Sequence, residues 1–310
     1  MLISIIIPTL NRLSYLKKTM LSVRNQTNDN YEIIVIDNAS TDGTREWLES
    51  QPDILIICHN NTIPIYENWN TGFKQAKGDF LVLLSDDDIL HPDCINIIQS
   101  VPDPLQYSLI IGRHDIIDEN DKITINQKGF NNIENGVLQP KEGLSLFSDG
   151  VAFRLCSIFF NRTKLLQLNI DLVAKKFKIT AADSELIQLM AISSPIYILD
   201  LNRSIANYRV WKNSGTSETI YSKAWHDEID IWMDDFESFS KDILSLKKIK
   251  DAISKVKLSN LHYAIIVYRS KKNKTSGTRI YLIKRLLTIL FEHFSFMNLM
   301  KSIKYLLLLI

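Results

Sequence analysis

The feature that most constrains this chain is an apolar run that ends in three successive carboxylates. Residues 80–84 are apolar throughout, as in a parallel strand buried on both faces, and Asp86, Asp87 and Asp88 follow almost at once. Ligands of open α/β sheets bind outside the carboxyl ends of the strands, so acids there can hold Mg²⁺ or Mn²⁺ against a phosphorylated ligand. In isolation, such a turn is more often a solvated acidic turn that leads into a helix. The surrounding sequence has to decide between the two readings.

Two earlier runs predict further buried strands that end in polar residues. Residues 3–7 are rich in isoleucine, and Pro8 cannot continue the hydrogen-bond ladder. Residues 32–36 form the second predicted strand, and Asp37 follows it directly. Apolar residues at helical spacing between the two, over residues 13–23, predict an amphipathic return helix. Alternation of this kind is typical of a parallel α/β sheet.

The later sequence continues this alternation and then changes character. We predict strands at residues 54–58, 108–117, 123–125 and 157–160, a strand pair ending at 208–211, and helices at 65–77, 92–101 and 140–147. From about Thr219 only helices are predicted, over residues 220–239, 243–256, 258–268, 280–294 and 296–310.

Three stretches together carry a resemblance to a known family. "SIIIPTLNRLSYLKKTMLSV", "YEIIVIDNASTDGT" and "KGDFLVLLSDDDILHPD" resemble, in order and in spacing, the nucleotide-binding half of family 2 glycosyltransferases of the GT-A fold. The resemblance implies a Rossmann-like, mostly parallel sheet with flanking helices and a C-terminal all-helical extension. We expect a GT-A domain at 1–217, with a nucleotide-binding half at 1–100 and an acceptor-binding half at 101–217, and an extension at 218–310.

The resemblance also implies roles for residues that follow the predicted strands. The turn from Pro8 through Thr9 to Asn11 is expected to cradle the nucleotide base, and Asp37 matches the acid that contacts it. Asp86 is expected near the ribose. The expected metal ligands are Asp87, directly, and Asp88, which either binds the metal or lies behind Asp87. Arg209 is a candidate for the diphosphate or the acceptor, against an equal alternative in which it pairs with a surface acid.

A second stretch, residues 179–190, supplies a candidate general base. It reads as an amphipathic helix with Asp183 in its first turn, where the helix dipole favours a carboxylate. Many relatives have Glu-Asp-x-Asp-Leu here, and the residue that matches their base is Asp183. Glu185 is the alternative, and Ala182 replaces the usual acid.

Two further positions depart from the family pattern. Many relatives carry Arg-Asn where this chain has Trp69-Asn70, which puts in doubt any role of that arginine at the phosphates. Several relatives have a Tyr-Arg-x-His motif where this chain ends in Trp211. Because Trp211 cannot serve as the extra metal ligand or diphosphate contact, the metal would rely on carboxylates, phosphates and water.

Charge divides the chain into an acidic front and a basic tail. From Lys247 onward there are 14 Lys and Arg against two acids, a balance of +12, which leaves −11 for residues 1–246. No uncharged span reaches the ~20 residues of a transmembrane helix. Basic residues that interrupt apolar faces suggest helices lying in the interface of an anionic membrane, with a helical subdomain or a homo-oligomer surface as alternatives. Nucleic acid is not an expected partner.

The reading that joins these features is metal-dependent, inverting transfer of a sugar from a nucleotide-sugar donor to a hydroxyl of a saccharide acceptor. By analogy, the acceptor is expected to be a lipid-linked oligosaccharide in surface polysaccharide (O-antigen or capsule) biosynthesis. One alternative is a sugar-1-phosphate nucleotidyltransferase, although "PTLNRLSYL" lacks the glycines that grip a triphosphate. The other is a membrane-associated scaffold with a degenerate transferase fold, which Ala182 and Trp211 keep open.

The cysteines and the N-terminal residues indicate in which cellular compartment the protein is expected. Three widely spaced cysteines, Cys58, Cys94 and Cys156, read as reduced core residues of a cytosolic protein. Residues 3–7 are too short for the apolar region of a signal peptide and lack a preceding basic segment. The expected location is therefore cytoplasmic, with peripheral association at the inner face of the plasma membrane.

Overall fold

The structure is a computed structural model that describes residues 1–126, 135–148, 154–199, 202–211, 215–271, 275–293 and 295–309. It divides into two compact units. The described residues of the sheet unit lie between Met1 and Trp211, except for residues 145–148 and 179–181. Those two segments belong to the helical unit, whose other described residues lie between 215 and 309. The predicted domain boundary at residue 217 lies close to this division.

The sheet unit contains two β-sheets. Its described strands are β1 Ile3–Thr9, β2 Tyr31–Asp37, β3 Leu55–Cys58, β4 Phe80–Leu83, β5 Ile89–Leu90, β6 Leu109–Ile111, β7 Arg113–Ile117, β8 Ile123–Ile125, β9 Gly136–Leu138, β10 Ile158–Asn161, β11 Ile196–Ile198 and β12 Ser204–Arg209. The larger sheet has the order β3-β2-β1-β4-β10-β6-β11-β9, and the smaller one has the order β5-β12-β7-β8. The predicted α/β class is confirmed.

Helices connect and cover the strands. In chain order they are α1 Leu13–Arg24, α2 Thr44–Glu49, α3 Ile65–Gln75, α4 Cys94–Gln99, α5 Pro140–Ser148, α6 Arg162–Gln167, α7 Ile170–Lys176 and α8 Ala182–Ser193, followed in the helical unit by α9 Gly215–Thr219, α10 Lys223–Ser240, α11 Leu246–Ser270, α12 Ser276–Glu292 and α13 Phe296–Leu309. No described helix combines the length and the apolar character needed to cross a membrane.

The parallel half of the larger sheet brings three strand ends to one edge. Strands β3, β2, β1 and β4 all run parallel, and Thr9 lies opposite Asp37 while Ile6 lies opposite Leu83. The isoleucines and leucines of β1 and β4 are fully buried, as expected for parallel strands that are covered on both faces of the sheet. Polar residues that follow β1, β2 and β4 therefore meet at the carboxyl edge of the sheet.

Residues 84–88 join the two sheets. They leave β4 in the larger sheet and enter β5, which pairs antiparallel with β12 in the smaller one. The backbone N–H of Leu84 still donates to the carbonyl of Ile6 at 2.9 Å, so the acids begin just past the last ladder bond. The acidic turn is thus anchored at both ends by strands.

Three predicted elements differ in the structure. The single strand predicted at 108–117 is two strands in different sheets, β6 and β7, broken at Gly112, where a Cβ atom would lie 2.5 Å from Ile205 Cδ1. The predicted strand pair before Trp211 is not a pair, since β11 joins the larger sheet and β12 the smaller. Two predicted helices, 243–256 and 258–268, form the one helix α11, because no glycine or proline separates them.

The three cysteines are unpaired, as predicted, but one prediction about them is wrong. Cys94 and Cys156 are buried, whereas Cys58 is exposed at the end of the edge strand β3. An edge position leaves that side chain with neighbours on one side only.

Gly78 is a stability-determining position before β4. A Cβ atom there would lie 2.6 Å from the backbone nitrogen of Ser4 and 2.9 Å from the carbonyl oxygen of Leu2. Because backbone atoms cannot move aside cheaply, Gly78→Ala is expected to lower the free energy of unfolding by about 1–3 kcal/mol in urea titrations. Gly277→Ala, where nothing lies within 4 Å of the new Cβ, is the matched control and should change it by less than about 0.5 kcal/mol. Equal stability of the two variants would contradict this account.

Candidate functional site

The three carboxylates of the acidic turn are buried. Asp86, Asp87 and Asp88 are 3%, 8% and 1% exposed. The reading of this segment as a solvated acidic turn is therefore wrong. Burying a charge without partners is expensive, so the contacts of each carboxylate indicate what the turn is built for.

Asp86 is held by residues that follow β1. The hydroxyl of Thr9 donates to its Oδ2 at 2.7 Å, and Nη1 of Arg12 donates to its Oδ1 at 3.0 Å. Burial raises the pKa of Asp86 to about 6, and Asp87 adds to this, while the charge of Arg12 opposes it. The carboxyl of Asp86 thus shares the cation of Arg12 with Asp87.

Asp87 is bonded on one of its two oxygens. Its Oδ2 accepts from Nη1 of Arg12 at 3.2 Å and from the indole N–H of Trp211 at 2.9 Å. Within the described residues, no hydrogen bond to its Oδ1 is found. One oxygen of this carboxylate is therefore fixed in place, and the other is open to a ligand.

Asp88 faces the interior of the protein. Its Oδ1 accepts from the backbone N–H of Arg209 at 2.8 Å, and the thiol of Cys156 also bonds to it. Burial and the charge of Asp87 raise the pKa of Asp88 well above its ordinary value. The hydroxyl of Thr19 bonds the backbone carbonyls of Asp86 and Asp88 at 2.9 and 2.8 Å. Asp88 therefore ties the turn to β12.

Arg209 supports the same turn through hydrogen bonds to backbone carbonyls. Its side chain is fully buried, its Nε donates to the carbonyl of Asp87 at 2.7 Å, and its Nη1 donates to the carbonyl of Asp118 at 2.6 Å. Its Nη2 lies 2.5 Å from a carboxylate oxygen of the half-exposed Asp121. Of the two predicted alternatives for Arg209, the surface-acid pair is the one formed in this structure.

The turns after β1 and β2 are tied together beside the acids. Asn11 has a left-handed backbone, φ 54°, its Oδ1 accepts from the N–H of Thr41 at 2.7 Å, and its own N–H donates to the hydroxyl of Ser40 at 2.9 Å. Asp37 is fully buried, accepts from the N–H of Ser40 at 3.1 Å, and lies 3.4 Å from Nε of Arg45. Asn11 and Asp37 therefore line one rigid edge.

Asp183 lies in the first turn of α8, as predicted. Its Oδ1 accepts from the N–H of Ser184 at 2.7 Å, and burial raises its pKa despite that bond and the charge of Arg154. It lines a cavity of about 20 Å³ whose other walls are mostly aromatic or apolar, among them Tyr66, Trp69 and Phe160, with the amide of Asn70 as a polar neighbour. A carboxylate whose pKa is raised by burial is a stronger base in its ionised form, which suits it to take a proton from a hydroxyl.

Glu185 is engaged elsewhere. It is 3% exposed, and its Oε1 lies 2.7 Å from Nζ of Lys176. An ion-paired carboxylate is a weaker base, because the partner cation stabilises its charged form. Of the two candidate residues, Glu185 therefore forms an ion pair, whereas Asp183 lines the cavity beside α8.

Sequence reasoning missed two partners of the acids. Arg12 was not among the predicted site residues, and Trp211 was interpreted only as the loss of a ligand. The guanidinium carbon of Arg12 lies 5.2 Å from the centre of the Trp211 ring, so the two residues also contact each other. The available signal for Arg12 was a basic residue directly after a strand that neighbours the acid-bearing one.

The side-chain oxygens of the acidic turn fit a hard cation, such as Mg²⁺, that takes most of its ligands from phosphate. In the part of the chain that the structure describes, no group of three or more His, Cys, Asp or Glu side chains is arranged to hold a metal ion. Mg²⁺ bound to a diphosphate, however, uses only one or two carboxylates together with phosphate oxygens and water. Oδ1 of Asp87 supplies one such oxygen, so the residues present fit the ion when a diphosphate completes the site.

Comparisons with known proteins point the same way. The family model described as "Glycosyl transferase family 2" matches residues 4–168, just over half of the chain. Abequosyltransferase RfbV of Salmonella typhimurium is 36% identical over 110 residues, which cover 33% of this chain and 33% of that protein. The aligned stretch thus spans about a third of the relative's length.

Solved structures resemble nearly the whole chain. Residues 1–349 of S. aureus TarS in complex with UDP-GlcNAc give a TM-score of 0.61 at 13% identity, covering 94% of this chain and 89% of that one. The mannosyltransferase PcManGT of Pyrobaculum calidifontis in complex with GDP-Man and Mn²⁺ gives 0.55 at 16% identity, covering 99% and 85%. Likeness at such low identity shows the fold, and the predicted GT-A architecture is confirmed.

Proposed function

The chain belongs to glycosyl transferase family 2, and on this premise we propose that it transfers a sugar from a nucleotide-sugar donor to a hydroxyl group of a saccharide acceptor. The observation that carries the proposal is the buried acidic turn at the carboxyl edge of four parallel strands, with Arg12 and Thr9 on Asp86 and with Asp37 nearby. Family membership counts against the nucleotidyltransferase alternative. The degenerate scaffold remains an outcome of the test below.

The proposed donor site uses the edge formed by β1, β2 and β4. The turn from Pro8 through Thr9 to Asn11 would hold the base together with Asp37, and Asp86 would accept a hydrogen bond from the ribose. The bonds between Asn11 and the loop after β2 support this assignment, since they make the edge rigid before a ligand arrives. A nucleoside diphosphate is the ligand class that two solved neighbours carry, as UDP-GlcNAc and GDP-Man.

Asp87 is the proposed protein ligand of Mg²⁺ or Mn²⁺. When bound, the ion would neutralise charge that builds on the leaving diphosphate. Asp87 would hold it through Oδ1, while Arg12 places one further positive charge beside Asp86 and Asp87. Asp88 and Arg209 would hold the backbone of the turn in its conformation through their hydrogen bonds. Arg209 is thereby proposed to support the donor site without touching the diphosphate.

Asp183 is the proposed general base of an inverting reaction. It would take the proton of the acceptor hydroxyl as the oxygen attacks the anomeric carbon from the face opposite the leaving group. Burial supports the role, because a raised pKa brings the carboxylate closer to the basicity that proton transfer at neutral pH requires.

The test of this function is release of nucleoside diphosphate from a panel of nucleotide-sugars, first without an acceptor and then with saccharide acceptors. The proposal predicts slow hydrolysis of one donor, stimulated by Mg²⁺ or Mn²⁺ and stopped by a chelator. It also predicts thermal stabilisation by the same donor. A protein that neither binds nor cleaves any donor of the panel would be the degenerate scaffold.

The proposed acceptor is a lipid-linked saccharide at an anionic membrane, and the helical unit supports this. On α12, Lys284, Leu287 and Phe291 share one face at helical spacing, with Phe291 88% exposed. On α13, Met300, Ile303, Lys304 and Leu307 do the same. Exposed apolar faces that carry lysines are the geometry of helices at a lipid interface. The corresponding location is the cytoplasmic face of the plasma membrane, in surface polysaccharide biosynthesis.

Vesicle binding tests this part. The full-length protein should bind vesicles containing anionic lipid, more weakly at high salt, because each basic residue near the surface contributes ~1 kcal/mol within a Debye length. Leu287→Ser with Phe291→Ser should weaken binding at least about tenfold without lowering the melting temperature. The control is Leu105→Ser with Leu172→Ser, two exposed leucines of the sheet unit.

Two results would contradict the membrane assignment. Indifference of the wild-type protein to anionic vesicles would refute it directly. A shift from a higher to a lower oligomeric state in the Leu287/Phe291 variant, measured by sedimentation, would instead identify the face as a homo-oligomer interface.

A further inference from the structure

Trp211 lies where the acidic turn meets the end of β12. It follows Arg209, the last residue of the strand, by two positions. Its ring is packed between Tyr15, with ring centres 5.4 Å apart, and the guanidinium of Arg12, 5.2 Å away. Arg209 in turn lies 5.1 Å from the ring of Tyr15. The indole is therefore held in one orientation by aromatic and cationic neighbours.

This packing aims the indole N–H at the acidic turn. It donates to Oδ2 of Asp87 at 2.9 Å, the shorter of that oxygen's two hydrogen bonds. An indole has a donor and no lone pair to offer a metal, so Trp211 cannot itself bind a cation. Whatever it contributes at this site passes through Asp87.

Fixing one oxygen of a carboxylate determines where the other one points. With Oδ2 bonded to Arg12 and Trp211, rotation of the carboxyl group would break two hydrogen bonds, and Oδ1 keeps its direction. Residues that orient a metal ligand in this way raise metal affinity without contacting the metal, and their loss typically costs 10–100-fold.

We propose that Trp211 is a positioning residue, which orients Asp87 for the divalent cation through its indole N–H. The inference rests on the proposed function for the existence of the cation and adds a role for a side chain that cannot be a ligand. At the place where several relatives carry a histidine, this chain would then use a hydrogen bond to its carboxylate ligand in place of an additional ligand.

The alternative is that Trp211 only packs. Trp211→Phe separates the two, because it keeps an aromatic ring against Tyr15 and Arg12 and removes only the N–H donor. Trp47→Phe is the matched control, since Trp47 lies on α2 with its ring against Lys17 and away from Asp87. The probe is Mn²⁺, titrated into the protein with saturating UDP or GDP and followed by the paramagnetic resonance signal of the free ion.

The expected result is a Kd for Mn²⁺ about tenfold or more higher in Trp211→Phe than in the wild type, with Trp47→Phe unchanged. Binding of the nucleotide without metal should be equal in all three proteins, which also shows that they are folded. Unchanged Mn²⁺ affinity in a folded Trp211→Phe variant would overturn the inference and leave the proposed function intact. If the wild type itself bound no Mn²⁺ with either nucleotide, the metal step of the proposed function would fail, and the inference with it.

Discussion

Asp183→Asn is expected to lower kcat by ~10²–10⁴-fold and to leave donor affinity unchanged. The amide keeps the shape of the side chain and its contact with the Ser184 N–H, but it cannot take a proton from the acceptor. Because the carboxylate acts only as the acceptor hydroxyl attacks, its loss should appear in turnover and spare the Kd of the donor. Steady-state kinetics together with donor titrations would measure both.

The pH dependence of kcat gives an independent check of this base. Asp183 must be ionised to act, so kcat should fall as the pH drops through its pKa in the complex. Burial raises that pKa, so the acidic limb should lie above the ordinary aspartate range near 3.9. Asp183→Asn should abolish this limb in the residual activity.

Two control variants test whether Asp183 is the general base. Glu185→Gln removes a carboxylate on the same helix that is paired with Lys176 and should retain most of the turnover of each folded molecule. Asp171→Asn, on the surface of α7, controls for loss of a negative charge. If Glu185→Gln were inactive and Asp183→Asn active, the two roles would be exchanged.

Asp87→Ala is expected to abolish the stimulation of donor binding by Mg²⁺ or Mn²⁺. The variant loses Oδ1 of Asp87, the carboxylate oxygen that is proposed to bind the ion. Donor affinity measured calorimetrically, with and without metal, should differ in the wild type and coincide in the variant. Asp53→Ala, an acid paired with Arg24 on the surface, is the control.

The same substitution should not destabilise the protein. Asp87 raises the pKa of both Asp86 and Asp88, which shows that three like charges are crowded in this turn. Removing one relieves repulsion, and Arg12 keeps Asp86 as a partner. The melting temperature is therefore expected to stay equal or to rise. Undiminished metal dependence in Asp87→Ala would disprove its role as the ligand.

The parallel half of the fold was predictable because its strands are buried on both faces. A continuous apolar run such as residues 80–84 predicts a buried strand when turn residues flank it on both sides. The break at Gly112 was not predictable in this way. The strand pattern continues across it, and only the structure shows that β6 and β7 belong to different sheets and that Ile205, about 90 residues away, packs closely against Gly112. Local periodicity carries no information about such a contact.

The residues of the candidate site likewise fall into a group that the sequence predicts and a group that it does not. Acids that follow adjacent parallel strands meet because of topology, which the order of elements already contains. The hydrogen bond from Trp211 to Asp87 joins residues 124 positions apart, and no spacing rule connects them. Sequence comparison marked Trp211 as a missing ligand, and only the three-dimensional contact gives it a role. The assignment of Asp183 over Glu185 likewise needed the ion pair with Lys176.

The turn that joins the two sheets has a consequence for how enzymes of this design can be diversified. Residues 84–88 connect β4 to β5, and so their number sets the register of both sheets as well as the direction of each carboxylate. Most surface loops accept insertions at little cost, because closure entropy grows slowly with length. Here one inserted or deleted residue would misalign two sheets and the acids together. Libraries that vary loop length should therefore leave this segment untouched.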